Sequence, residues 1–252
     1  MFKINDAAER ATVYIYGTIG DDWNEDDANR AREFAQTLDA LSPKPVDIRI
    51  DSPGGDVYEG FAIASAIQRY EGETHAFVDG MAASAASYVA MMADRVTMND
   101  YSMIMIHNAW GICIGNRDEM RDMADRLEQI DGTIAGVIAA RSALDIDEVK
   151  AAMTAETWYR GDDALQAGMC DEVIVTEQRI AASIDRGIAE RYHNIPEEVS
   201  VEDAAAALAQ EGEETEEAPD CEASHGGSNL HDNEAKDAAG AILLGNRIYW
   251  KE

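Results

Sequence analysis

The sequence predicts an α/β domain, and three observations predict it. Short β-branched or apolar runs alternate with longer stretches of helical apolar spacing. Two backbone-rich turns, Asp51-Ser52-Pro53-Gly54-Gly55-Asp56 and Gly80-Met81-Ala82-Ala83-Ser84, each come after a strand-like run and before a helical one. That order suits strands stacked by helical crossovers, with turns meeting at one edge of a sheet, where sites form. The 252 residues, 46% hydrophobic, suffice for one sizeable domain, and from about residue 193 the composition turns acidic and polar. The predicted organisation is therefore a folded domain over 1–192 and an acidic, largely disordered tail over 193–252.

Taken in order, residues 12–16 alternate and read as a strand ending at Gly17. Residues 26–41 carry Ala28, Ala31, Phe34, Ala35, Leu38 and Leu41 at helical spacing, until Pro43 and Pro45 break the pattern. A second strand, 46–50, leads into the Gly54-Gly55 turn, whose glycines permit positive φ and close backbone approach. Helix 57–69 and strand 74–78 follow. Next come a tight turn on Gly80 and a small-residue helix that starts at Ser84 and runs to Ala93. Residues 95–98 and 102–106 read as further strands, the second running into His107-Asn108.

The longest helical pattern covers 116–142, with Met120, Met123, Leu127, Ile130, Ile134, Val137 and Ile138 three or four apart. A second helix over 145–153 takes Asp145 or Asp147 as its N-cap. Residues 156–159 read as extended, 161–167 as a helix stopped by Gly168, and 170–175 as a last strand. Residues 211–237 are Glu-, Gly-, Ser- and Asn-rich with almost no apolar side chains, so disorder is expected there. The apolar end, with Ile242, Leu243, Leu244, Ile248, Tyr249 and Trp250, reads either as a docking segment or as a functionless terminus.

Composition narrows the function. Of the net charge of −30, residues 193–252 hold −12 (15 Asp and Glu against 3 Lys and Arg) and the first 192 residues −18. Nucleic acid is a poor partner for such a surface, because phosphate contacts need basic patches. The acidity is also compatible with a high-salt setting, where self-repulsion is screened. No run of about 18 apolar residues predicts a membrane span, and no secretory leader is read at the start. Three cysteines (Cys113, Cys170, Cys221) lack metal-ligand spacing, so neither a disulfide framework nor a metal site is expected, and a reducing, cytoplasmic setting is the default.

Candidate chemistry centres on Ser84. A hydroxyl at a helix N-terminus lies beside unpaired N–H groups and the positive end of the helix dipole, which favour an alkoxide and an oxyanion. The plainer reading makes Ser84 a small residue in a closely packed helix. His107, at a strand end, is either a base for Ser84 or a buried core histidine. Gly54-Gly55 alone is a turn, and Ser87, one helical turn past Ser84, is expected to pack.

Asp51-Ser52-Pro53-Gly54-Gly55, Gly80-Met81-Ala82-Ala83-Ser84 and Met105-Ile106-His107-Asn108 occur in an order and at distances that together resemble the Clp-type serine peptidases, over residues 10–175. The resemblance implies a ClpP/crotonase-like fold of stacked ββα units, in which 116–142 is a protruding handle helix at ring interfaces. It implies Ser84 as nucleophile, His107 as general base, and the backbone N–H groups of Gly55 and Ala85 as the oxyanion hole. Counting back from Ala164, Gly168 and Asp171, the family's acid falls on Glu156, glutamate where aspartate is usual. Asp162 and Asp163 lie nearby but read as helix N-terminal residues. No cofactor is implied.

Within the family, His107-Asn108-Ala109-Trp110-Gly111 and Glu156-Thr157-Trp158-Tyr159 look most like the phage head maturation (prohead) branch. The expected function is thus a serine endopeptidase processing scaffold and capsid proteins, as a homo-oligomer in the host cytoplasm or the assembling procapsid. The alternatives are the proteolytic subunit of an ATP-dependent Clp protease and a non-catalytic ring-forming scaffold. The sequence carries no Gly-x-x-x-x-Gly-Lys-Ser/Thr motif, so any ATP-driven unfolding needs a separate ATPase. A hydratase of the same fold class needs no serine nucleophile. A Ser–Lys peptidase needs a lysine near the turn, and the body offers only Lys3, Lys44 and Lys150.

Overall fold

A computed structural model of the chain describes residues 4–6, 9–20, 30–175, 183–185, 189–196, 200–202, 241–243 and 248–250. The chain divides into two compact units, Met1–Gln210 and Glu211–Glu252. In the second, Ala241–Leu243 and Ile248–Trp250 pair antiparallel within the apolar end noted above. The predicted disordered stretch 211–237 lies outside the described residues.

Among the described residues, the first unit is built on an eight-stranded sheet. Strands β1 (Ile4–Asp6), β2 (Ala11–Tyr16), β3 (Val46–Ser52), β4 (Thr74–Ala83) and β5 (Arg95–Asn99) lie in that order, and β8 (Glu172–Ile174) follows β5. Only β1 runs antiparallel to its neighbour in this row. The period-2 alternation of the sequence becomes a one-sided core: Ala11, Val13 and Ile15 of β2 and Val46, Ile48 and Ile50 of β3 are fully buried, and their neighbours point the other way.

Among the described residues six helices accompany the sheet: α1 (Ala31–Leu41), α2 (Val57–Gln68), α3 (Ala85–Ala90), α4 (Arg117–Arg141), α5 (Ile146–Ala155) and α6 (Gly161–Gln166). Helix α1 is described from Ala31 and buries Ala31, Phe34 and Leu38; the earlier residues of the predicted 26–41 helix lie largely outside the described residues. Asp56 caps α2 through the N–H groups of Tyr58 and Glu59. Capping boxes start α4 (Asn116 with Glu119) and α5 (Asp145 with Glu148), which selects Asp145 over Asp147 as the cap.

Strand β4 positions the site. Its first half pairs with β5 (His75–Val78 against Arg95–Met98), and its second half pairs with β6 (Met103–Ile106) through Met81↔Met103, Ala82↔Ile104 and Ala83↔Met105. Strand β7 (Thr157–Arg160) then pairs antiparallel with β6. The sheet therefore forks along β4, and the outer branch carries His107 at the end of β6.

This corrects the sequence reading, which placed a tight turn at Gly80. The strand runs through Gly80 to Ala83, and the turn falls on Ser84. Gly80 serves a close approach instead. A Cβ there would stand 2.6 Å from Oδ1 of Asp51, whose carboxylate accepts the Met81 N–H at 3.1 Å. Helix α3 is also shorter than expected, ending at Ala90.

Candidate active site

Ser84 occupies the N-cap position of α3 with φ 53° and ψ −121°. A non-glycine residue holds such a backbone only where its surroundings over-determine it, and such residues cluster at functional sites. The surroundings are explicit. The Ser84 N–H donates to the Met105 carbonyl at 2.9 Å, and the Ser84 carbonyl accepts from the N–H (3.0 Å) and the hydroxyl (2.6 Å) of buried Ser87. Ser87 is thus a packed bracket for the turn.

The Ser84 side chain does not cap its own helix. Its Oγ lies 2.8 Å from Nε2 of His107. Burial pushes the His107 pKa below the ordinary 6.5; the nearby Glu156 charge opposes the shift, and His193 adds to it. His107 is consequently a neutral imidazole near pH 7, able to take a proton from the serine hydroxyl.

The Gly54-Gly55 turn packs against this elbow. Gly54 has φ +87°, and a Cβ on it would stand 2.6 Å from the Ala83 carbonyl oxygen, 2.7 Å from Ser84 Cβ and 2.8 Å from the Ala85 nitrogen. Gly55 has φ +152°, and a Cβ on it would collide with the Ile19 carbonyl. Ile19 donates to the Gly54 carbonyl and accepts from the Asp56 N–H, both at 2.8 Å. The carbonyl of Gly54 and the N–H of Gly55 belong to one trans peptide and point in opposite directions, so with that carbonyl facing the Ile19 N–H the Gly55 N–H is directed away from Ile19. Ala85 is the first residue of α3, where an N–H has no intrahelical acceptor. The structure therefore brings both residues predicted for the oxyanion hole to the Ser84 elbow. Sequence reasoning named Gly55 and missed that Gly54 is the glycine packed against the Ser84 elbow itself, which becomes visible only when β3 and β4 are paired.

Glu156 closes α5 in the left-handed region (φ 51°) and is only 7% exposed. Its carboxylate is close enough to raise the His107 pKa, yet no hydrogen bond joins the two among the described residues. One carboxylate oxygen, Oε1, instead accepts the main-chain N–H groups of His193 (2.7 Å) and Asn194 (2.6 Å). Asp162 and Asp163 are exposed in the first turn of α6, as their sequence context suggests.

Sequence reasoning also missed Tyr192. Its ring stands edge-on to His107 (centroids 5.9 Å apart) and to Trp158 (5.5 Å), and its hydroxyl donates to the Pro53 carbonyl. The buried Trp158 Nε1 has no hydrogen-bond partner among the described residues. No spacing rule in the sequence links residue 192 to residues 53 or 107.

A cavity of about 10 Å³, room for about one water molecule, adjoins the pair and is lined by Ser84, Ala85, Ser87, His107, Ile134 and Ile138 among others. A larger cleft of about 520 Å³, lined by Asp100, Tyr101, Arg160, Gly161, Asp162, Asp163 and Val175, includes none of Ser84, His107 and Glu156. Among the described residues no cluster of His, Cys, Asp and Glu is arranged to hold a metal ion, and no helix is long and apolar enough to cross a membrane.

A hydroxyl on a strained strand-to-helix elbow, an imidazole at hydrogen-bond distance and glycine-lined backbone donors define a serine-hydrolase type of site. Comparison with known proteins gives the family. The Clp protease family model matches residues 5–177, and the chain belongs to that family of serine-type peptidases. It is 30% identical over 166 residues (65% of this chain, 74% of the relative) to an ATP-dependent Clp protease proteolytic subunit of Bacteroides thetaiotaomicron. Similar relatives include the proteolytic subunit of Porphyromonas gingivalis (27% over 165 residues; 64% of this chain, 73% of the relative) and proteolytic subunit 1 of Prochlorococcus marinus subsp. pastoris (25% over 159 residues; 62% and 81%).

Proposed function

We propose that this chain is the proteolytic subunit of an ATP-dependent protease, cutting peptide bonds with Ser84, His107 and Glu156 and drawing on a separate ATPase. The observation that carries the chemistry is the 2.8 Å contact between Ser84 Oγ and His107 Nε2 at a strained elbow. The names of the relatives support the ATP-dependent setting.

In this mechanism Ser84 Oγ attacks the scissile carbonyl carbon while its proton passes to His107 Nε2. The Glu156 carboxylate stabilises the resulting imidazolium by its charge. The N–H groups of Gly55 and Ala85 receive the oxyanion. His107 returns the proton to the leaving amine, and water repeats the sequence on the acyl-enzyme. The peptidase domain of this reading is residues 1–192, with the acidic 193–252 appended; the first residues of the appendage already touch the site.

A homo-oligomeric ring belongs to the same reading. Through most of its N-terminal half α4 is exposed; its buried residues, Ile134, Ala135 and Ile138, all lie near its C-terminal end. Trp110, Ile112 and Ile114 just before it are 59%, 64% and 76% exposed. Such an apolar surface suits subunit contacts.

A second reading, head maturation with scaffold and capsid proteins as substrates, rests on the 107–111 and 156–159 segments. The deciding experiment is labelling with a fluorophosphonate serine probe, then digestion of an unfolded protein and of capsid protein, each with and without a Clp-type ATPase and ATP. Labelling that is lost in Ser84→Ala supports the peptidase, and an inert wild type favours a ring-forming scaffold. ATPase-dependent digestion of the unfolded protein supports the first setting. ATPase-independent cutting of capsid protein alone supports the second.

A further inference from the structure

We infer that residues 192–194 are positioning residues of this centre: the N–H groups of His193 and Asn194 hold the Glu156 carboxylate beside His107, and the Tyr192 ring braces the imidazole. The inference rests on the peptidase reading.

Glu156 sits at the end of α5 with a side chain of several rotatable bonds, so its carboxylate needs an external hold to stay in one place. No hydrogen bond from His107 supplies one among the described residues. The two main-chain donors at 2.7 and 2.6 Å do, and bonds to an ionised group are the strong kind. Asn194 Nδ2 also donates to the Ala155 carbonyl at 2.8 Å, tying the same short piece of chain to the residue before Glu156.

Tyr192 adds the other two attachments. It is 8% exposed, packs with Ala83, Met103 and Met105 on the far face of the β4–β6 branch, and meets the His107 ring edge-on. Its hydroxyl bond to the Pro53 carbonyl reaches the residue just before Gly54-Gly55. One piece of chain thus fastens the acid, the base and the oxyanion turn. Among the described residues none of its hydrogen bonds goes to Ser84 or Ala85, so it supports the machinery without occupying the nucleophile.

The test uses full-length variants. His193→Pro removes one N–H that Glu156 accepts, whereas His193→Ala keeps it, and both lose the same exposed side chain. Tyr192→Ala removes the brace, and Tyr192→Phe restores the ring without the hydroxyl. Two readouts are taken across pH: the rate of fluorophosphonate labelling at Ser84, and the rate of diethyl pyrocarbonate acylation at His107 by peptide mass mapping.

The groups facing His107 are Glu156, whose charge raises its pKa, His193, which lowers it, the Ser84 hydroxyl and the Tyr192 ring. Loosening Glu156 leaves the effect of burial less opposed. The expected result is labelling about tenfold or more slower in His193→Pro than in His193→Ala, with both midpoints displaced to lower pH. Tyr192→Phe is expected to recover most of the labelling rate lost in Tyr192→Ala. A partly unfolded variant loses labelled fraction without moving the midpoint. Equal rates and midpoints in the His193 pair, together with equal rates in the Tyr192 pair, overturn the inference, as does faster labelling when the hold is removed. If wild type takes no fluorophosphonate, the peptidase reading fails, while the His107 midpoints still decide whether this segment sets the His107–Glu156 geometry.

Discussion

His107 Nε2 and Ser84 Oγ stand 2.8 Å apart although the two residues are carried by different strands, β6 and the end of β4. The Ser84 N–H is itself bonded to the Met105 carbonyl, two residues before His107. The proposed nucleophile and base are therefore held in one ladder. Ser84→Ala is expected to abolish fluorophosphonate labelling, and His107→Ala to lower peptide hydrolysis by about a thousandfold or more. Near-normal hydrolysis by His107→Ala would remove it from the mechanism.

The pH dependence follows from the burial of His107. Its pKa is held below 6.5, and the proposed base is the neutral imidazole. Labelling should rise with pH through a midpoint below about 6.5 and be near its plateau at pH 7. The stability sign is the same. Below the unfolded-state value the unfolded chain binds a proton that the folded histidine resists, so this residue's contribution is complete above about pH 6.5 and is lost as pH falls through the folded pKa. A pH–rate profile whose midpoint lies above 7 contradicts the buried, neutral assignment.

Gly54 is the sharpest backbone prediction. Alanine there meets Ala83, Ser84 and Ala85 at 2.6–2.8 Å and must also adopt φ +87°. Gly54→Ala should cost about 1–3 kcal/mol of stability and lower kcat by about a hundredfold or more through the displaced elbow, the order seen when an oxyanion donor is lost. Chemical denaturation and steady-state kinetics measure the two effects separately.

Much of this was legible in the sequence because its signals are local. The helix predicted over 116–142 from its apolar spacing is α4 with its cap residues Asn116 and Ser142, and Asp145, one of the two caps offered for the next helix, starts α5. The three motifs meet because each sits at a strand end. What was not legible acts through the main chain or through space. Gly80 answers to Asp51 across the sheet rather than to a turn. The hold on Glu156 uses N–H groups that almost any residue supplies, so positions 193 and 194 leave no mark in the sequence.

Glu156→Gln separates charge from shape. The amide keeps the side-chain length but removes the charge that raises the His107 pKa. Hydrolysis should fall about tenfold or more, with the acid limb moving to lower pH, while Asp163→Asn, exposed on α6, should leave the rate within about twofold. A larger loss in Asp163→Asn would transfer the acid's role to that residue.

The cavity beside Ser84 predicts cleavage preference. At about 10 Å³ it admits little more than a water molecule, and Ile134 and Ile138 of α4 form part of its wall. A substrate side chain next to the scissile carbonyl that enters here must be small, so glycine, alanine or serine should be preferred to leucine by about tenfold or more in kcat/KM. Ile134→Ala enlarges the cavity and should reduce that ratio, at a stability cost of about 2–5 kcal/mol, and Ile134→Val should do so partially for about 1 kcal/mol. Profiling both variants with a peptide library checks the assignment. An unchanged preference in Ile134→Ala means that substrate side chains bind elsewhere and that the cavity is only a packing gap between α3 and α4.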